Sequence, residues 1–264
     1  MLSVTFVKWG GSLITEKTGR YAVRTRVLTR LARELVQHWP AWRGRLVLGH
    51  GSGSFGHVAA HEAGIDSEEP HPAPEEALSR IQQAVSDLHR HVVLALREAG
   101  LPAFTFAPSS AYVSKKGTPS VFNAAPVARA LSMGALPVTY GDVTLDTHKD
   151  IAICSTETVF RSLISALRDH EHTTDRVLWC GNTHGVYDAQ GNTISTLSCE
   201  RVHTMTRSMR APDGTDVTGG MAHRLRTACA LAENGIESLL LNGLEPGELS
   251  AALTGSPFQG TRVR

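Results

Sequence analysis

Nine residues, Gly49 to His57, read G-H-G-S-G-S-F-G-H, and they restrict what the chain around them can be. A short apolar run, Leu46-Val47-Leu48, leads into them as a buried strand would. Gly51, Gly53 and Gly56 then leave little side-chain bulk between the backbone and an anion. Ser52, Ser54 and His57 add donors suited to phosphate oxygens. The stretch reads as the wall of a phosphate site at the end of a strand.

The chain on either side alternates strands with helices. Val4 to Val7 runs β-branched and aromatic residues into Lys8, a first strand broken at once by Gly10-Gly11-Ser12. Val27, Leu28, Leu31, Leu35 and Val36 recur at helical spacing and predict a helix from about Thr25 to His38, ended by Pro40. A longer helix is predicted over Glu75–Ala99, with Gly100 as its stop. Further strands are predicted at Ala103–Phe106, Leu136–Tyr140, Arg176–Cys180 and Ser238–Leu241, and Ile151–Ser155 is a short apolar run. Helices are expected over Ala124–Met133, over Thr156–Arg168 and up to about Asn234. Gly141-Asp142-Val143 is expected to enter a loop that also holds Asp146.

This alternation predicts an α/β protein: a three-layer αβα sandwich with a mainly parallel central sheet. Ligands of such sheets sit beyond the carboxyl ends of the strands. Glycine-rich elements follow residues 8, 49, 140 and 180. Four of them at corresponding ends predict a site that contacts phosphates along an extended substrate.

The composition excludes several function classes. With 264 residues the chain forms one large domain or two tightly joined lobes. Basic and acidic residues nearly balance, at 26 and 25, without a Lys/Arg run, which argues against nucleic acid as a partner. Cys154, Cys180, Cys199 and Cys229 lie far apart with no C-x-x-C pair, so reduced thiols are expected and a zinc site is not. Lys8 and Gly10-Gly11 interrupt the apolar start too early for a secretory leader. No segment reaches the roughly 18 apolar residues of a membrane span. A cytoplasmic protein with no membrane partner is predicted.

Gly51 to Gly56 satisfies G-x-G-x-x-G, but Ala59 to Asp66 has no strand pattern leading to Glu68 and Glu69. A dinucleotide fingerprint needs that strand. There is no P-loop motif either. Lys8 alone would read as a solvated strand-end lysine; with Gly10-Gly11-Ser12 beside it, ammonium and bare amides together suit the outer phosphates of a nucleotide. Lys17 alone reads as surface charge. His57 and His61 are spaced i, i+4, yet no third metal ligand accompanies them. Phosphate suits His57 better, because imidazole and a phosphate monoester both titrate near neutrality. Asp142 and Asp146 read either as turn residues or as a lysine-orienting or Mg²⁺-linked pair. His89 and His91 cannot share a helix face and are expected at the surface, whereas Tyr112, Trp39 and Trp42 are expected to pack.

Taken in order, Lys8-x-Gly10-Gly11-Ser12, Lys17, His50-Gly51-x-Gly53-Ser54-Phe55-Gly56-His57, Gly141-Asp142-Val143, Gly185-Val186-Tyr187-Asp188, Asp216-Val217-Thr218-Gly219-Gly220-Met221 and Gly260-Thr261 resemble the amino acid kinase superfamily. Within it the pattern looks like the isopentenyl phosphate kinases, because relatives that phosphorylate carboxylates lack the histidine of G-S-F-G-H. The resemblance implies transfer of the ATP γ-phosphoryl group to isopentenyl phosphate, with Mg²⁺ as cofactor and no protein metal ligands. It implies that Lys8, Trp9, Gly10, Gly11, Ser12, Gly53, Asn182, Gly220 and Arg224 bind ATP. Ser52, Gly56, His57 and Thr156 would hold the acceptor, and Lys8, Lys17 and His57 would be catalytic. It further implies an acceptor lobe at about 1–170, a nucleotide lobe at about 171–264, an apolar tail pocket lined by Glu75–Ala99, and a homodimer.

Three departures stand out against the family pattern. Ser155-Thr156-Glu157 replaces Ser-Gly-Asp, Asn182 and His184 replace two aspartates ahead of Gly-Val-Tyr, and Arg224 replaces a lysine. Arg224 keeps the charge and can grip phosphate bidentately. These changes leave two alternatives open: a kinase of the same fold for another small phosphate or phosphonate such as fosfomycin, or a phosphate-ligand sensor without catalysis.

Overall fold

Short apolar runs separated by amphipathic stretches become strands and helices in the order that their periodicities dictate. The computed structural model describes residues 2–16, 19–65, 71, 73–208 and 219–264. In chain order the main elements are β1 (Thr5–Trp9), α1 (Gly11–Ile14), α2 (Thr25–Trp42), β2 (Leu46–His50), α3 (Gly53–Glu62) and α4 (Pro74–Glu98). Next come β3 (Ala103–Thr105), α5 (Ala125–Ser132), β4 (Leu136–Tyr140), β5 (Asp142–Asp146), β6 (Asp150–Cys154) and α6 (Thr156–Leu167). The rest are β7 (Arg176–Gly181), β8 (Thr196–Leu197), α7 (Cys199–Ser208), α8 (Gly219–Ala232), β9 (Glu237–Asn242), α9 (Glu248–Thr254) and β10 (Gly260–Val263).

The central sheet has the order β8-β10-β9-β7-β1-β2-β4-β3. Its pairings are parallel except for β9 with β10. Successive residues of a strand face opposite sides, and this parity builds two cores. Phe6, Val47, Val177 and Trp179 meet Val127, Phe160, Leu163 and Leu225 from α5, α6 and α8. Val7, Trp9, Leu48 and Leu178 meet Leu31, Leu88, Val92 and Leu249 from α2, α4 and α9. The result is the expected three-layer sandwich.

Four neighbouring strands, β7, β1, β2 and β4, carry the glycine elements at their carboxyl ends. Trp9 lies opposite both Cys180 and His50, and His50 lies opposite Tyr140. The loops after residues 8, 49, 140 and 180 therefore leave the sheet side by side.

Some local expectations need correction. α2 does not stop before Pro40 but runs through it to Trp42. Proline forfeits one amide bond, a cost the last turn bears while Trp39 and Trp42 pack on the core. The segment from Asp142 to Asp146 is a strand, paired antiparallel with β6, rather than a loop. Asp146 ties this hairpin to its surroundings, accepting from Ser114 Oγ at 2.7 Å, Gly117 N at 2.7 Å and His148 N at 2.8 Å. Lys116-Gly117 turns the chain between the antiparallel pair Ser114–Lys115 and Thr118–Pro119. His91 is exposed, but His89 is buried, for a reason given below.

Candidate active site

β-Strand parity decides the first contact. Lys8 shares the side of Phe6, so its ammonium enters the layer of α6 and α8 while Trp9 turns into the opposite core. Only 6% of Lys8 is exposed. Its ammonium donates to the carboxylate of Glu157. Ser155 fixes the start of α6, its Oγ accepting from Thr158 N at 3.1 Å, and thereby places Glu157 in the first turn facing the sheet.

The same Glu157 oxygen lies 3.6 Å from Arg224 Nε. The Arg224 guanidinium reaches over the glycine ends of two strands. A Cβ built on Gly181 would stand 3.4 Å from Nη1, and one on Gly10 would stand 4.0 Å from Nη2. Arg224 Nε is buried without a hydrogen-bond partner. Two cations thus share one carboxylate, and the residual positive charge sits beside bare backbone.

The electrostatics follow from that imbalance. Burial alone would raise the Glu157 carboxyl, but Lys8 and Arg224 outweigh it and hold the group down at about 2. Lys8 is pushed below the usual ammonium value by burial, with Arg224 adding to the effect and Glu157 opposing it. A polyanion entering here would meet charge already desolvated and already positioned. Behind Glu157, Ser155 Oγ also lies 3.0 Å from His223 Nε2, joining α6 to α8 beneath the cluster.

The glycine stretch is built backbone against backbone. A Cβ on Gly11 would stand 2.5 Å from the Gly53 Cα, and one on Gly51 would stand 2.6 Å from the Gly11 N. Gly53 has φ +52°, and a Cβ there would meet Thr15 Cγ2 at 2.7 Å. Thr15 braces the junction, donating to Gly11 O at 2.9 Å and accepting from Ser54 N at 3.0 Å. These glycines therefore bring the loops after β1 and β2 together as well as leaving room for an anion. Gly56 is bare for a similar reason, since a Cβ there would collide with the Ser52 side chain. Ser52 starts α3 half-buried, and His57 is exposed in its second turn.

Beneath this loop lies a neutral polar network. His50 is wholly buried, with Nδ1 3.1 Å from Gly51 O and Nε2 2.9 Å from His89 Nδ1. His89 Nε2 is 3.0 Å from Thr105 Oγ1, and Tyr140 stacks on both rings. Burial drives His50 down to about 4 and His89 to about 2. His89 was expected at the surface because helical spacing separates it from His91. Its ring is buried instead because its polar atoms find partners on β2 and β3.

The remaining expected residues are placed as follows. Trp9 has its side chain in the core, and its carbonyl accepts from Gly51 N at 2.9 Å. Thr156 is buried and donates to His50 O at 2.7 Å, while its methyl fills the space above Gly49. Ser12 is half-buried in α1, Asn182 is exposed just beyond Gly181, and Gly220 is exposed at the start of α8. Asp142 is buried and accepts from Ser109 N at 3.1 Å and Val143 N at 2.9 Å. The carboxylate paired with Lys8 is Glu157. Lys17 and Asp216 to Thr218 lie outside the described residues. Glu157, His50, His89 and Thr15 join the site beyond the expected residues; the one signal for Glu157 is its place in Ser155-Thr156-Glu157, which the resemblance sets opposite Ser-Gly-Asp.

A mainly parallel α/β sheet that gathers a buried lysine, a half-buried arginine and two interlocked glycine loops at adjacent carboxyl ends defines a phosphate-handling protein. The chain belongs to the amino acid kinase family, whose model matches residues 3–242. It is 33% identical over 273 residues to an isopentenyl phosphate kinase of Methanothermobacter thermautotrophicus, covering 97% of each chain. An isopentenyl phosphate kinase of Haloferax volcanii is 33% identical over 231 residues, covering 87% of this chain and 89% of its own. Among solved structures, an isopentenyl phosphate kinase superposes with a TM-score of 0.80 at 28% identity, covering 98% of this chain and 99% of its own.

Proposed function

We propose that this chain transfers the γ-phosphoryl group of ATP to isopentenyl phosphate, yielding isopentenyl diphosphate and ADP. The reading is carried by one juxtaposition: the Gly49–His57 stretch abuts the Lys8–Glu157–Arg224 cluster at neighbouring strand ends. The relatives named above supply the choice of acceptor.

In this reading Lys8, Arg224 and the amides of Gly11 and Ser12 hold the nucleotide phosphates, the Gly10 amide already donating to Cys180 O at 2.8 Å. Ser52 and His57 hold the acceptor phosphate on the other side of the interlocked glycines. An acceptor phosphate oxygen forms the new bond to the γ-phosphorus as the bond to the β–γ bridging oxygen breaks, and ADP leaves with that electron pair. The nucleophile is already an anionic oxygen, so the site needs positive charge and positioning rather than a strong base. Lys17 takes its expected part in stabilising the transferring group. The isoprenoid tail is placed beside α4, whose Ile81 and Val85 pack with Tyr140, Val143 and Ile151 in one apolar cluster.

Mg²⁺ enters with the nucleotide. Among the described residues no group of three or more His, Cys, Asp or Glu side chains could hold a metal ion. A small hard cation held mainly by phosphate and water oxygens suits such a site, where it supplies charge neutralisation on the phosphates. The same proposal takes residues up to about 170 as the acceptor lobe and the rest as the nucleotide lobe of a cytoplasmic homodimer. The test is turnover: purified protein with ATP, Mg²⁺ and isopentenyl phosphate should form the diphosphate and ADP in equal amounts. Turnover of a small phosphonate instead, with isopentenyl phosphate left untouched, would sink the reading.

A further inference from the structure

We propose that His50 and His89 are positioning residues which, through a directed hydrogen-bond chain starting at Thr105, orient and strengthen the Ser52 amide as a donor to the acceptor phosphate. The proposal rests on the reading that the loop at Ser52 faces the acceptor. The direction of the chain follows from the groups that end it. Gly51 O can only accept, so the His50 Nδ1 lying 3.1 Å away must carry the hydrogen. In the neutral ring, Nε2 is then an acceptor, and its partner at 2.9 Å, His89 Nδ1, must donate. His89 Nε2 is left as an acceptor for the Thr105 hydroxyl at 3.0 Å. Both rings are therefore Nδ1–H tautomers.

The chain ends on one particular peptide unit. The carbonyl of Gly51 and the N–H of Ser52 belong to the same amide, and drawing electron density toward the carbonyl makes that N–H a better donor. Among the described residues the Ser52 N–H has no hydrogen-bond partner. Its nitrogen lies near the end of β4, where a Cβ on Gly141 would stand 3.6 Å from it. Two further bonds hold the peptide's neighbours, since His50 O accepts from Gly141 N at 2.9 Å and from Thr156 Oγ1 at 2.7 Å. Ring stacking with Tyr140 at 4.2 Å from His89 and 5.6 Å from His50 restrains both imidazoles. His89 sits on α4, the helix whose Ile81 and Val85 pack with Tyr140, Val143 and Ile151 in a neighbouring apolar cluster.

Two measurements test this. In the ligand-free enzyme at neutral pH, nitrogen-15 long-range correlation spectra of the histidines should show His50 and His89 as neutral Nδ1–H rings. An Nε2–H ring at either position overturns the chain. In steady-state kinetics with isopentenyl phosphate and ATP varied separately, His89→Leu should raise the acceptor KM about tenfold and leave the ATP KM within about twofold, as loss of one hydrogen bond's support implies. His89→Asn, whose amide can donate near the Nδ1 position, should recover most of that loss, and Thr105→Val should raise the acceptor KM about twofold. Equal rises in both KM values, or an asparagine variant no better than leucine, contradict the proposal. Should His89→Leu fail to fold, Thr105→Val and the wild-type spectra still decide. Absence of turnover by the wild-type enzyme would count against the functional reading, while the spectra judge the chain by themselves.

Discussion

Two buried polar clusters sit at adjoining strand ends and treat charge in opposite ways. At β1 and β7, Lys8 and Arg224 flank Glu157, two basic side chains around one carboxylate. At β2 and β4, His50 and His89 are kept neutral by burial and by a complete set of hydrogen-bond partners. Removing a charge from water is costly unless the charge is paired. The first cluster bears that cost and leaves one positive charge uncompensated, which makes sense only for a site that receives an anion. The second avoids the cost and spends its bonds on backbone geometry. In the proposed reading one cluster attracts phosphate and the other shapes the loop that the phosphate meets.

The largest effect should come from removing the attraction. Lys8→Met should cut kcat roughly 100- to 1,000-fold, the scale seen when one preorganised donor is lost, while the protein remains folded because Arg224 still accompanies Glu157. A rate within a few-fold of wild type would break the contrast between the clusters.

Glu157→Gln should cost about 3–5 kcal/mol in denaturant unfolding, because it leaves Lys8 and Arg224 facing one another in a buried site. A loss under about 1 kcal/mol would mean that water enters the cluster freely. Next in size, Gly11→Ala should lose roughly 2 kcal/mol, since its Cβ would stand 2.5 Å from the Gly53 Cα. Retention of full stability would show that the two loops are not interlocked.

The clusters should also part company with pH. For both histidines the folded value lies below the ordinary 6.5, so the unfolded chain takes up more protons as pH falls. Their contribution is complete above about 6.5 and is lost on the way down to about 4 for His50 and about 2 for His89. Each ring gives up roughly 1.4 kcal/mol per pH unit in that window. Glu157 is depressed from 4.5 to about 2, so its contribution is complete above about 4.5 and is lost only below it. Calorimetric Tm should therefore fall already between about pH 6.5 and 5, and His89→Asn should flatten that part of the curve. An unchanged slope in the variant would move the effect elsewhere.

Much of this was legible in the sequence because strand parity and glycine spacing are local signals. The order of strands and helices and the glycine elements at corresponding strand ends follow from runs of adjacent residues, whereas the pairing that makes those ends neighbours appears only in the structure. What escaped was long-range. His89 meets His50 across 39 positions, and Glu157 meets Lys8 across 149, and neither pairing leaves a trace in spacing. α3 was hidden because glycine and serine at its start carry poor helix propensity, and β5 because aspartates bound both of its ends. Asp142 drew attention as a lysine partner, yet its oxygens are taken by Ser109 N and Val143 N.

The most direct test of the division between a nucleotide side and an acceptor side is His57→Ala, measured with ATP and isopentenyl phosphate varied independently. The variant should show a raised acceptor KM or a reduced kcat with ATP affinity near wild type. An equal loss of ATP binding would contradict the division, because His57 would then serve the nucleotide and not the acceptor.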